Sequence, residues 1–308
     1  MLDAMSRPRP ERRAFLVFAG RALAGAGALA MTGPRRPWAG TRDAKVFEGR
    51  AVFERLLAQA RERRWSELPI GERIGAVGMA LRQTPYVAST LELYDDREVC
   101  SVDFRGLDCV TFFELALAFA RMLKRGERAA DALLAEVAFL RYRGGQVTDY
   151  ASRLHYLTDW FFDNQAKRVV RVISPELPGA ERFTRRVSFM STHPDAYRQL
   201  KASPEQLAKI AQREGEINAR ATFYVPKDKV ASAQRFLLTG DIVGITTTID
   251  GLDCAHSGLV YRDEAGTPRL LHASTTRNAV VLDEDLATYV ASVRTHSGII
   301  VARPLEAT

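Results

Sequence analysis

Cysteine and histidine are both scarce, with three and five in 308 residues. Three cysteines (Cys100, Cys109, Cys254) cannot build a disulfide framework. In an oxidising compartment a Cys100–Cys254 pair would leave Cys109 reduced. There is no Cys-x-x-Cys pair and no His-Glu-x-x-His, so a metal site is not expected. Long apolar runs are missing too. The stretch from Ala14 to Met31 is rich in Ala and Gly and broken by Arg21, which is too short and too weakly apolar for a membrane span. Basic charge is concentrated rather than spread. Of the net charge of +7, residues 1–40 supply five, from seven Arg against one Asp and one Glu, and only two remain for the rest. That excess is too small to indicate a nucleic-acid partner.

What is present fits a soluble globular protein, with 46% apolar and 26% charged residues and enough chain for one large domain or two small ones. The N-terminus reads as an export signal over residues 1–40, leaving a single domain over 41–308. Arg7, Arg9, Arg12 and Arg13 precede the Ala/Gly-rich stretch, and Arg12-Arg13-Ala14-Phe15-Leu16 resembles a twin-arginine signature. The expected location is therefore periplasmic or exported, without stable membrane insertion once the signal is removed. An amphipathic or disordered arm is the plainer alternative.

Apolar spacing predicts helices over Val46–Arg64, Ile70–Leu81, Val110–Leu123, Ala130–Arg141, Pro204–Asn218, Lys227–Leu237 and Asp283–Ala291. Strands are predicted over Val99–Phe104, Val169–Ile173, Val187–Phe189, Ala221–Val225, Asp241–Thr247, Ala255–Arg262, Arg269–Ser274 and Gly298–Arg303. Helices dominate early and strands late, which indicates an α+β fold with an antiparallel sheet.

The helix after Gly106-Leu107-Asp108-Cys109 is apolar on nearly every side. Thr111, Glu114, Ala118 and Arg121 form one narrow stripe at helical spacing, so this should be a central helix. Asp108 is a good N-cap, a role preferred to direct substrate contact. Cys109 then stands in the first turn, where the helix dipole favours thiolate and unpaired N–H groups can hold an oxyanion. A plain buried cysteine is the competing reading.

Two histidines far down the chain favour catalysis. A turn over Asp263–Pro268 centred near 265 makes facing residues sum to about 530, so Val260 opposes Leu270 and His256 opposes Ser274. His272 becomes the diagonal neighbour of His256, and equal parity puts both on one sheet face. Cys109 would attack, His256 would take and return the proton, and His272 would orient the ring of His256, with Ser274 the rival for that third role. Cys254 shares the parity of His256 but has no helix start behind it, and is the weaker candidate nucleophile. Around Tyr150–Trp160, Arg153, His155 and Tyr156 read either as helix-start packing or as a substrate-cleft wall in which Arg153 meets a carboxylate.

LDCVTFFE, AHSGLVY and LLHAS resemble the NlpC-type cell-wall hydrolases of papain-like fold. More narrowly, TPYVASTLE, RGLDCVTFFELALAFA, SRLHYLTDW and LLHAST are similar to their N-acetylmuramoyl-L-alanine amidase-like subfamily, from about residue 70 onward. The resemblance implies nucleophile Cys109, base His256 and orienting His272, a tyrosine near the cleft at Tyr86, no cofactor, and peptidoglycan or muropeptide as substrate. Cys254 and Ser257 depart from the small or aliphatic residues expected there. The expected reaction is cleavage of the N-acetylmuramoyl-L-alanine amide through a thioacyl-enzyme. The alternatives are an endopeptidase cutting after γ-D-glutamate and a catalytically silent wall-binding module.

Overall fold

The computed structural model describes residues 46–307; the reading of residues 1–40 as an export signal lies outside them. In chain order the elements begin with strand β1 (Val46–Glu48), helix α1 (Arg50–Glu62), helix α2 (Ile70–Ala80) and strand β2 (Ser101–Asp103). The central helix α3 (Cys109–Lys124), α4 (Ala130–Arg141) and α5 (Leu157–Ala166) follow. Next come β3 (Val170–Val172), β4 (Glu181–Arg182), the short helices α6 (Phe189–Thr192) and α7 (Arg198–Ala202), and the longer α8 (Pro204–Asn218). The last part holds β5 (Phe223–Pro226), α9 (Val230–Ala233), β6 (Ile242–Thr247), β7 (Cys254–Arg262), β8 (Pro268–Ser274), β9 (Ala279–Asp285), α10 (Leu286–Ser292) and β10 (His296–Pro304).

This is a mixed α+β fold. Eight strands form one sheet in the order β4-β5-β10-β6-β7-β8-β9, with β3 sharing one edge of β10 with β5. All its pairings are antiparallel, as expected from the late run of strands. The β7–β8 hairpin has the predicted register, with Leu259 facing Leu271, Val260 facing Leu270 and Tyr261 facing Arg269. Strand β10, the last strand in the sequence, runs through the middle of the sheet between β5 and β6.

Helix α3 is buried over most of its length, and each element around it covers one of its sides. Phe53 of α1 meets Phe119 edge-on at 5.8 Å, and Trp160 of α5 meets Phe113 edge-on at 5.1 Å. Leu259, Leu271 and Ala273 from the sheet share the same core. The polar stripe is also buried. Glu114 accepts hydrogen bonds from Arg141 Nε at 2.7 Å and Trp160 Nε1 at 3.0 Å, while Arg121 Nε donates to Glu136 at 3.0 Å. A carboxylate with two donors and an opposite charge is tolerated where a lone one would not be.

Three local expectations fail. Val46–Glu48 is not the first turn of a helix but a strand paired in parallel with Ser101–Asp103, and Gly49 (φ +76°) makes the turn into α1. Val187 makes no ladder; its N–H and C=O both bond the side chain of Asn218, and the helical turn of α6 starts at Phe189. Asp283 does not start a helix. The β-branched Val280 and Val281 keep the chain extended through Asp285, whose carboxylate then caps α10 by accepting from Thr288 N at 3.2 Å.

Candidate active site

Asp108 is the N-cap of α3. Its Oδ1 accepts from Val110 N at 3.0 Å and Thr111 N at 2.7 Å, and Thr111 Oγ1 accepts in return from Asp108 N at 2.9 Å. This reciprocal box starts the helix at Cys109. It also uses up the N–H groups of residues 110 and 111, so the first-turn donor left beside the sulfur is that of Cys109 itself. The other carboxylate oxygen of Asp108 accepts from Thr90 Oγ1 at 3.4 Å. These bonds fill the cap role and commit the carboxylate to the protein.

Opposite Cys109 lies β7. Ser257 Oγ donates to the Cys109 carbonyl at 3.0 Å. The hydroxyl and the backbone N–H of Ser257 also act on the thiol, together with the N–H of Cys109. The sulfur therefore lies against the peptide that joins His256 to Ser257. Ser257, met in the sequence only as a departure from the expected pattern, is what docks α3 on the strand.

The thiol is not the ready thiolate that a helix start suggests. Burial, then the negative charge of Asp108, push its pKa up to about 12, and the hydrogen bonds from Ser257 and from its own N–H only partly offset them. Cys254 is pushed up as well, by burial and then by the charges of Asp253 and Cys109. No disulfide forms among the described cysteines; the Cys100 thiol points to the Leu134 carbonyl at 3.7 Å. The phenol of Tyr86 is raised by burial and then by the charges of Cys109 and Asp108, which puts it beside the helix start. Its backbone N–H donates to Asn278 O at 2.9 Å, and Tyr86 forms a bridge with Leu107.

His256 and His272 meet as their shared parity requires: His256 Nε2 and His272 Nδ1 are 2.6 Å apart. The strands part here. The paired register of β7 and β8 ends at Leu259 and Leu271, and a bulge leaves Ala255 extra between Ile245↔His256 and Thr246↔Cys254. Gly258 is what allows the rings so close, since a Cβ there would lie 2.9 Å from His272 Cβ and 2.9 Å from the Leu271 carbonyl. His256 shares the sheet face of Ile245, whereas Ser257 shares that of Gly244. On the face bearing the histidines, Tyr289 of α10 sits 6.0 Å from the His256 ring and 5.0 Å from the His272 ring. Among the described residues no hydrogen bond joins Cys109 Sγ to either imidazole; its partner is Ser257.

Three participants are not visible in the sequence. Asp283 Oδ2 lies 3.2 Å from His272 Nε2, Tyr289 covers both rings, and His296 of β10 packs 5.8 Å from Tyr289. Recognising β9 as a strand beside β8 would have brought Asp283 into view. Burial, then the neighbouring histidines, hold His256 well below the usual imidazole range. Burial lowers His272 as well, against the pull of Asp283. Both rings are neutral at pH 7. Ser274, the rival third group, instead accepts from Arg277 N at 3.2 Å in the turn that follows.

Arg153, His155 and Tyr156 are held by internal partners. Arg153 is 5% exposed and donates to Glu92 at 2.5 Å, with Glu98 at 3.5 Å. His155 Nε2 lies 2.8 Å from the Tyr150 carbonyl. Tyr156 donates to Glu214 at 2.7 Å and accepts from Met190 N at 2.8 Å. These bonds tie the 150–160 segment to α8 and to the loop around Glu92, and fit its reading as helix-start packing. Among the described residues no cluster of side chains could hold a metal ion, and no helix is long and apolar enough to cross a membrane.

Residues 76–299 match the family model described as N-acetylmuramoyl-L-alanine amidase-like. The chain belongs to that family. An N-acetylmuramoyl-L-alanine amidase from Bacteroides uniformis is 32% identical, with TM-score 0.71 over 77% of this chain and 99% of that one. A Bacteroides fragilis protein provisionally called a xylanase is also 32% identical, with TM-score 0.68 over 74% of this chain and 99% of that one. A Legionella pneumophila protein at 17% identity shares the fold, with TM-score 0.61 over 84% of this chain and 98% of that one. Among curated proteins there is no match. The amidase-like family carries with it an enzyme of the hydrolase class and a peptidoglycan-type substrate.

Proposed function

We propose that this amidase-like chain is a cysteine hydrolase of papain-like fold that cleaves the N-acetylmuramoyl-L-alanine amide of peptidoglycan fragments. One observation carries the reading: Ser257, the residue after His256, donates from Oγ to the Cys109 carbonyl at 3.0 Å, and His256 is hydrogen-bonded to His272. In this mechanism Cys109 is the nucleophile. Because the thiol is held protonated by its surroundings, its proton leaves during attack. A ring nitrogen of neutral His256 takes the proton as sulfur adds to the lactyl carbonyl. The N–H of Cys109, the first-turn donor that the Asp108 box leaves over, steadies the oxyanion. His256 then passes the proton to the leaving nitrogen of L-alanine, which departs with its stem peptide. Water, deprotonated by the same ring, hydrolyses the thioester and restores the thiol. The transfer needs the His256 ring, which leaves β7 on the face opposite Ser257, to come within hydrogen-bond reach of sulfur in the substrate complex. A glycosidase would instead need two carboxyl groups flanking the bond, and here Asp108 and Asp283 are tied to a helix cap and to His272.

The Arg12-Arg13 segment supports export, so the site of action in this reading is the periplasm or beyond. Digestion of defined muropeptides followed by mass spectrometry tests the assignment. Free stem peptide is the expected product, and a released dipeptide would move the assignment to an endopeptidase. Cys109→Ala should lose turnover while keeping its melting temperature; normal turnover by that variant would end the proposal.

A further inference from the structure

The geometry points to Asp283 as a positioning residue that sets the tautomer of both imidazoles and thereby makes Nδ1 of His256 the proton acceptor. Asp283 is held below the usual carboxylate range, His272 being the first cause, so at neutral pH it is ionised and can only accept. His272 Nε2, 3.2 Å from Asp283 Oδ2, must then carry the hydrogen. A neutral imidazole carries one hydrogen, so His272 Nδ1 is bare and can only accept. The atom facing it at 2.6 Å is His256 Nε2, which must therefore be the donor. The single hydrogen of His256 is thus committed, and its lone pair is left on Nδ1. Were His272 to flip tautomer, Nδ1 would become a donor, Nε2 of His256 would have to accept, and Nδ1 of His256 would carry the hydrogen. That form has no base to offer.

The groups that face His272 are Asp283 from β9, His256 from β7 and Tyr289 from α10, with His296 behind Tyr289. Asp283 is the one anion among them. It touches neither sulfur nor substrate in this scheme and acts only through His272.

The inference rests on the amidase reading for its kinetic consequence but not for its spectroscopic one. With five histidines in the chain, ¹⁵N-histidine labelling of the whole protein resolves each ring. At pH 7.5 the wild type should show the Nε2–H tautomer for both His256 and His272. Asp283→Ala should give mixed tautomers at both rings and lower kcat by about tenfold to a hundredfold, the size of outer partners at other sites. Asp283→Asn, whose amide oxygen can still accept, should keep the tautomers and lose less than about tenfold. Should Asp283→Ala fail to fold, the wild-type and Asp283→Asn spectra decide. An Nδ1–H tautomer at either ring of the wild type, or unchanged tautomers in a folded Asp283→Ala, would overturn the assignment. If no muropeptide is cleaved by the wild type, the amidase reading fails while the tautomer spectra still judge Asp283.

Discussion

A cysteine at a helix start is usually read as a thiolate in waiting, and at residue 109 the surroundings reverse that. The dipole and the nearby N–H groups favour the anion, but burial and the Asp108 carboxylate outweigh them. Alkylation by iodoacetamide should therefore be slow at pH 6 and rise steadily through the alkaline range; fast labelling at pH 6 would mean the thiol is already ionised. Ser257→Ala removes a hydroxyl that favours the anion and holds the helix end. It should slow alkylation further and cost about 1 kcal/mol of stability, one hydrogen bond's worth, measured by urea unfolding. The Asp-Cys helix start was legible because capping is local chemistry. The thiol's burial was not, because it depends on a strand nearly 150 residues away.

At the scale of elements, α3 is tied to its neighbours through Glu114. Glu114→Ala would leave the Arg141 guanidinium buried without its carboxylate and the Trp160 N–H without an acceptor. The expected loss is about 3–5 kcal/mol, read from the urea midpoint, whereas a surface carboxylate such as Glu205 should cost less than about 1 kcal/mol. The spacing of Thr111, Glu114 and Arg121 was visible as a stripe, but periodicity does not say whether water or another helix covers it. The hairpin was the most legible element, since its turn and side-chain alternation leave one register open and so bring His256 to His272. Strand β9 was hidden because Asp283 and Asp285 both look like helix caps, and only the sheet edge offered by β8 decides between them.

At the scale of the whole molecule, several imidazoles are buried neutral, and this sets a pH dependence. His256 and His272 are lowered, and His296, lowered mainly by burial and then by Lys227, has a pKa of about 4. The unfolded chain, with imidazoles near 6.5, binds more protons than the folded one once the pH falls below that value. The contribution of these rings to stability should be level above about pH 7 and decline from about pH 6.5 towards 4, with His296 alone accounting for on the order of 3 kcal/mol. Urea midpoints at pH 7.5 and pH 5 check this, and equal midpoints would show that the rings are not held neutral.

The central place of β10 bears on how the chain is made. Residues 296–304 supply hydrogen bonds to β3, β5 and β6, so no ribosome-bound intermediate lacking them can join the two halves of the sheet. The α-helical half can collapse during translation, but the sheet is joined only once residues 296–304 have emerged.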